Sequence, residues 1–404
     1  MSRPAIPPPF RRQFGGLNGV RGLGALFVLT THVGFHSGAA LNSTFNGLLS
    51  RLDVGVAIFF VISGFLLFRP HAEAWIRQDE RPSTRSYLWH RALRILPALW
   101  LAIIAAALLL EQPEEALQVY ARHATLTQIY GSGLAAQGLT QMWSLATEAA
   151  FYLLLPAIAW LLTRAHATPG SVRNGLLVLL STPLLGAAWM GFTAWHPEGQ
   201  QALWLPGYIG WFGLGMALAL WRSGRAGGVV GASWVDDVAT HPGTVWGLAV
   251  ALFLVLISPV AGPYSLTQAS PGQAVVKSVL YAVVAALVVL PCVVMPSDGH
   301  DPPSVRLLGG RTARFLGDIS YGIFCYHLIV LGVVERAMGY EIFSGGFFRI
   351  YVPTLAVTCV VAAVSYYAVE RPVMRRGRQG QRRTGVTNSP EASTATATAV
   401  NTIT

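Results

Sequence analysis

Two ionisable residues stand eleven apart in one apolar stretch: Arg21 and His32 in LNGVRGLGALFVLTTHVGFHSG, residues 17–38. At 3.6 residues per turn this spacing is almost three full turns. A helix here therefore points both side chains to one face, about 16 Å apart along the axis. Ionisable groups in an apolar helix are costly and normally face a protein interior or a wet cavity. Two readings fit the pair. One is an Arg snorkelling to the interface beside a structurally satisfied His. The other is a reactive His lining a path that opens toward the Arg, and an imidazole suits abstraction of a hydroxyl proton near neutrality.

Further along, Arg91 and Arg94 in YLWHRALRILPALW are spaced i, i+3 and share one helix face. Two forked guanidiniums side by side suit phosphate oxygens. Their basic neighbours Arg69, Arg77, Arg81 and Arg85 need no ligand, because cytoplasmic loops of membrane proteins collect such residues. In QMWSLATEAAFY, Glu148 is a carboxylate inside an apolar run and needs a partner. Counted from the outer ends of their helices, His32 and Glu148 lie at similar depth, about 5–10 Å in. Glu148 is therefore expected to face His32, with Trp143 as an anchor at the outer interface. LGDISYGIFCYHLIVL adds Asp318, Ser320, Tyr321 and a second intramembrane histidine, His327, which is either structural or functional. Ser63-Gly64 reads first as a close-packing pair, and Glu370 as the partner of an interface Arg.

The elements that position these residues follow from composition. With 404 residues, a mean hydropathy of +0.50 and 11% charged residues, the chain is not a soluble enzyme. Apolar runs of membrane length define a polytopic all-α bundle of about ten spans: 18–38, 52–69, 95–110, 143–163, 174–195, 203–221, 244–262, 274–295, 316–334 and 350–369. With this count only Arg51, Arg122, Lys277, Arg336 and Arg349 fall outside. Every other basic residue is cytoplasmic, which sets both termini inside. The net charge of +10 is thus a topological signal, and no nucleic-acid partner is expected. Cys292, Cys325 and Cys359 sit in apolar runs without metal-ligand spacing; they read as packing residues, with neither a disulfide framework nor a metal site. Residues 1–16 form a Pro- and Arg-bearing lead-in with no removable signal peptide, 17–376 the membrane domain, and 377–404 a basic, then Thr/Ala/Ser-rich tail expected to be disordered. The tail's basic part is expected to rest on anionic lipid.

The ordered set LNGVRGLGALFVLTTHVGF, GVAIFFVISGFLL, YLWHRALRILPALW, MWSLATEAAFYLLLP, LGDISYGIFCYHLIVL and SYYAVERPVMR resembles the acyltransferase 3 family over residues 14–376. These are integral-membrane O-acyltransferases that modify surface glycans, glycolipids and some secondary metabolites. The family's first-span Arg and His fall on Arg21 and His32, and its paired Arg motif on Arg91 and Arg94. Its Trp-Ser-Leu and following acid fall on Trp143, Ser144, Leu145 and Glu148; its late Ser-Tyr and His fall on Ser320, Tyr321 and His327. The chain departs from the pattern at Asn18, Ala57 and Ala149, where many members carry an acid; the last leaves Glu148 the only acid of its motif. With no esterase-like extension after the last span, the resemblance is to the family's stand-alone form.

The resemblance implies a multi-pass protein of a bacterial plasma membrane that moves an acyl group, most commonly acetyl, to a hydroxyl of a glycan, glycolipid or glycosylated metabolite. Acyl-CoA is then a co-substrate and no bound cofactor is implied. Arg21, Arg91 and Arg94 would hold the donor, His32 would be the general base and Glu148 would orient it. Trp143, Ser144, Tyr321 and His327 would support them. A covalent acyl-His or acyl-Ser relay is an alternative route. The rival classes are a proton-coupled transporter, which would carry internal repeats or broken helices, and a non-catalytic scaffold.

Overall fold

The computed structural model describes residues 14–131, 136–197, 199–239, 241–264, 267–294 and 301–383. The expected lead-in at 1–16 and tail at 377–404 lie outside these ranges except for residues 14–16 and 377–383. The latter belong to a helix, Arg371–Arg383, that runs through the expected boundary. Among the described residues every regular element is helical, and the protein is an all-α bundle.

Ten helices of 15 residues or more carry the architecture. They are α1 (Gly15–His36), α2 (Val54–Arg77), α3 (Thr84–Leu109), α4 (Trp143–Leu162), α5 (Pro169–Trp195), α6 (Leu205–Ala226), α7 (Pro242–Leu256), α8 (Pro271–Val293), α9 (Arg311–Ala337) and α10 (Phe347–Ser365). Eight are long and apolar enough to cross a membrane, some together with flanking turns. The other two are α1 and α7. Asn18, Arg21, His32, His36 and several glycines dilute the hydropathy of α1. At 15 residues, α7 rises only about 22 Å, short of a hydrocarbon core of about 30 Å. Starts are set locally. Thr168 and Ser270 close capping boxes ahead of the prolines that open α5 and α8, and Ser83 caps α3.

α1 is inserted between α2 and α9 and also touches α8 and α10; α6 joins α2 to α5, and α8 joins α5 to α7. The central windows of α9 and α2 are 83% and 72% buried, against 22% for α5 and α10. The former pair is core and the latter wall. Two glycines allow the tight crossing of α2 with α6. A Cβ on Gly64 would meet the Phe212 carbonyl, and one on Gly215 the Val61 carbonyl, at 2.1 and 2.0 Å. Small residues here let backbones touch where side chains would wedge the helices apart.

One segment departs from the expected topology. Residues 136–142 run into the bundle with Ala136, Leu139 and Met142 fully buried and Gln137 and Thr140 exposed. They follow α9 from Gly332, near Gln137, to the carbonyls of Phe324 and Cys325, which Gln141 Nε2 contacts at 3.4 and 3.1 Å. Helix α4 therefore starts deep in the bundle. Trp143, at its start, is half-buried and packs its ring on Tyr208 with centroids 5.1 Å apart.

Candidate active site

The two histidines singled out in the sequence meet. His32 lies on α1 and His327 on α9, with ring centroids 5.0 Å apart. His327 Nε2 is 3.2 Å from His32 Nδ1. The neighbours fix the tautomers. His327 Nδ1 faces only carbonyl oxygens, of Ile323 at 3.0 Å and Phe324 at 2.9 Å, so it must carry the proton and donate. His327 Nε2 is then an acceptor. His32 Nδ1 faces that acceptor and the Val28 carbonyl at 2.8 Å, so it too is the protonated nitrogen. His32 Nε2 is left with its lone pair and has no hydrogen bond among the described residues. An imidazole held this way can take a proton at one defined atom, and its neighbour can share the resulting charge.

Glu148 is elsewhere. It accepts a short hydrogen bond from Ser63 Oγ on α2 and lies beside Tyr152, Arg91 and Arg21. The groups of ionisable type that act on His32, His327 apart, are His36 and Asp53. The expectation that Glu148 faces His32 is corrected. The buried approach of residues 136–142 starts α4 about one helical turn below the histidine pair. Five further residues carry Glu148 about 7–8 Å toward the Arg21 end of α1. Ser63, read from the sequence as a packing residue, bonds to Glu148, while Gly64 beside it makes the close contact with α6.

A second cluster therefore forms at the Arg21 end. Arg21 lies within electrostatic range of Arg94, Glu148, Tyr152 and Asp318. Arg91 and Arg94 sit two and nearly three turns inside α3, which starts at Thr84 rather than near residue 95. Arg94 lies over the Tyr321 ring at 6.0 Å and directs Nη1 to Met374 Sδ at 3.8 Å; the Tyr321 hydroxyl donates to the Ile95 carbonyl at 2.8 Å. The buried Arg91 Nε, Arg94 Nη2 and Tyr87 hydroxyl have no hydrogen-bond partner. Buried donors are rarely left so. Several of them around three guanidiniums make a pocket of donors suited to an anion.

The remaining candidates join neither cluster by a direct bond. Ser144 donates to the Gln141 carbonyl at 3.2 Å and closes the first turn of α4, while Trp143 packs on Tyr208. Sequence reasoning also passed over three groups. Gln141 ties α4 to α9 just below the histidines. His36 Nδ1 and Glu335 Oε1 form a hydrogen bond at 2.7 Å one turn above His32. Asp53 bonds Lys277 at 3.0 Å and accepts from the Tyr281 hydroxyl, bringing α8 to the histidine end. The i, i+4 spacing of His32 and His36 was a legible signal for one of these; the others need the fold.

The helical bundle thus sets an imidazole pair at one depth and a cluster of guanidiniums at another. The chain belongs to the acyltransferase domain family, whose model matches residues 14–368. It is similar to a nodulation protein of Rhizobium leguminosarum, 27% identical over 84% of this chain and 87% of that one. It is similar also to a peptidoglycan O-acetyltransferase of Listeria monocytogenes, 23% identical over 91% of this chain and 57% of the relative. An exopolysaccharide production protein of Rhizobium meliloti is 26% identical over 80% and 90%. The chain spans only a little over half the length of the Listeria protein, and 56% of a Bacillus subtilis relative. No solved structure matches it.

Proposed function

We propose that this protein is a multi-pass membrane O-acyltransferase that moves an acyl group, acetyl in the first instance, from acyl-CoA to a hydroxyl of a carbohydrate-containing acceptor. The single observation that carries this reading is the one face of α1. It holds Arg21, in a pocket of unpartnered donors, and His32, with Nε2 uncommitted, on one continuous helix. The relatives named as peptidoglycan O-acetyltransferase and exopolysaccharide production protein supply the acceptor class.

In this mechanism Arg91, Arg94 and Arg21 take the phosphates of the donor at the cytoplasmic side, the side chosen by the asymmetry of basic residues. The pantetheine arm extends along α1 and brings the thioester to His32. The acceptor hydroxyl enters from the opposite side of the plasma membrane. His32 Nε2 removes its proton as the oxygen attacks the thioester carbonyl. The tetrahedral intermediate collapses by breaking the C–S bond, and the departing thiolate takes the proton from His32. Ester and CoA thiol are the products, and the ring returns to its starting tautomer. His327 holds that tautomer through Nε2 and stabilises the transient imidazolium, the part a carboxylate plays in a Ser-His-Asp triad. Glu148 serves the donor pocket as a counter-charge to Arg21 and Arg91.

The test is transfer from radiolabelled acetyl-CoA by purified protein in detergent, beside His32→Ala and the double variant Arg91→Ala/Arg94→Ala. The His32 variant should bind donor normally and lose turnover by about 10²–10⁴-fold, the usual range for a general base. The Arg variant should lose donor binding. Normal transfer by His32→Ala would sink the mechanism, and failure of the wild type to bind any acyl-CoA would sink the activity.

A further inference from the structure

The α10 helix does not continue regularly into the basic Arg371–Arg383 helix. Between them Tyr366–Glu370 forms a π-helical turn, a rare feature that is frequently found at functional sites. Its effect here is specific. In an α-helix, residues five apart sit about 140° apart round the axis and cannot touch. In this turn they do: Ser365 Oγ donates to Glu370 Oε1 at 3.1 Å, and Tyr326 OH is 2.8 Å from Ser365 Oγ. The extra residue rotates Glu370 into the bundle, where it is 0% exposed.

Burying a carboxylate with one neutral hydrogen bond is costly, and Glu370 Oε2 has no partner at all. The cation that acts on it most strongly is Arg94, followed by Arg21. Arg94 in turn keeps Nη2 buried and unpartnered. The two form no ion pair within 4.0 Å; Arg94 spends Nη1 on the weak acceptor Met374 Sδ. Direct pairing would consume the fork that a ligand needs. A carboxylate close by but not bonded offsets the burial of the guanidinium and leaves its donors unspent.

We infer that Glu370, turned inward by the π-helical turn at Tyr366–Glu370, is a positioning residue that holds Arg94 in the donor pocket with its Nη2 free for the phosphate-bearing end of the acyl donor. The inference rests on the reading of Arg94 as a donor-binding group. It also has a definite sign. If Glu370 merely competed with the ligand for Arg94, removing its charge would tighten donor binding; if it positions Arg94, removing the charge weakens binding.

The experiment is calorimetric titration of CoA into the purified wild type, Arg94→Ala, Glu370→Gln and the double variant, with steady-state kinetics on the same set. Glu370→Gln should weaken CoA binding by about tenfold and raise the donor KM, with kcat and the acceptor KM unchanged. The double variant should bind no worse than Arg94→Ala, because the carboxylate acts only through that guanidinium. Ser365→Ala, which removes the one hydrogen bond on Glu370, gives the same split in smaller degree and serves if Glu370→Gln does not fold. Unchanged or tighter binding by Glu370→Gln overturns the inference while Arg94→Ala still loses CoA. So does a loss that persists undiminished in the Arg94→Ala background. Wild-type CoA binding by Arg94→Ala itself would overturn the donor role of Arg94, and this inference with it.

Discussion

The histidine pair and the guanidinium pocket share helix α1, which gives His32 to the first and Arg21 to the second, and they handle buried polarity in opposite ways. At the histidine end, three of four ring nitrogens are committed, to Val28, Ile323 and Phe324 carbonyls and to each other, and a single lone pair remains. At the arginine end, Arg91 Nε, Arg94 Nη2, the Tyr87 hydroxyl and Glu370 Oε2 all remain without partners. Satisfied networks rigidify; unsatisfied ones are completed by something else. The first region has the form of a fixed reacting atom. The second keeps spare donors on Arg91, Arg94 and Tyr87, which the phosphates of the proposed donor would engage, beside one spare acceptor, Glu370 Oε2.

The largest separation between the two should come from His327. Replacing it with Gln removes the ring that shares the charge of protonated His32, a hydrogen bond to a charged group worth about 1.5–3 kcal/mol. The expected loss is roughly tenfold to a hundredfold in kcat, with donor KM unmoved. A variant that instead weakens acyl-CoA binding would erase the distinction between the regions.

Glu148→Gln probes the other side. With its counter-charge gone, the guanidiniums of Arg21 and Arg91 lose orientation, so donor KM should rise by about tenfold and kcat should fall less than in His327→Gln. A collapse of kcat at constant donor KM would return Glu148 to the histidines, where the sequence had placed it.

That displaced expectation marks the boundary of what could be read without coordinates. The face shared by Arg21 and His32, the i, i+3 pair Arg91 and Arg94, and the all-α bundle were legible because helical periodicity converts spacing directly into direction. The partner of His32 was not. Depth was counted from helix ends, and the count assumed that α4 begins at the bundle surface. Residues 136–142 violate that assumption: the Gln141 carboxamide donates from Nε2 to α9 carbonyls inside the bundle, so the chain enters before the helix starts. Nothing in the hydropathy of GLTQMW distinguishes such an entry from an interface loop. The π-helical turn at Tyr366–Glu370 was hidden for a similar reason, since a single inserted residue leaves the apolar pattern intact while rotating one side chain.

The smallest effect concerns how far the histidine pair is insulated from charge at its own end. Asp53 acts electrostatically on His32 and is itself held by Lys277 at 3.0 Å and by the Tyr281 hydroxyl. The two charged side chains are 39% and 34% exposed, so solvent screens their pair and it contributes about 0–1 kcal/mol. Lys277→Met leaves Asp53 bonded to Tyr281 and removes only that screened term. Activity should therefore change by less than about fivefold and in kcat alone, measured as acetyl transfer at saturating donor. A larger change would mean that the pair reaches the reacting nitrogen directly, and that α8 belongs with α1 and α9 in the catalytic centre. A change confined to the acceptor KM would instead make Asp53 and Lys277 part of the acceptor's entrance, a third region beside the histidine pair and the guanidinium pocket.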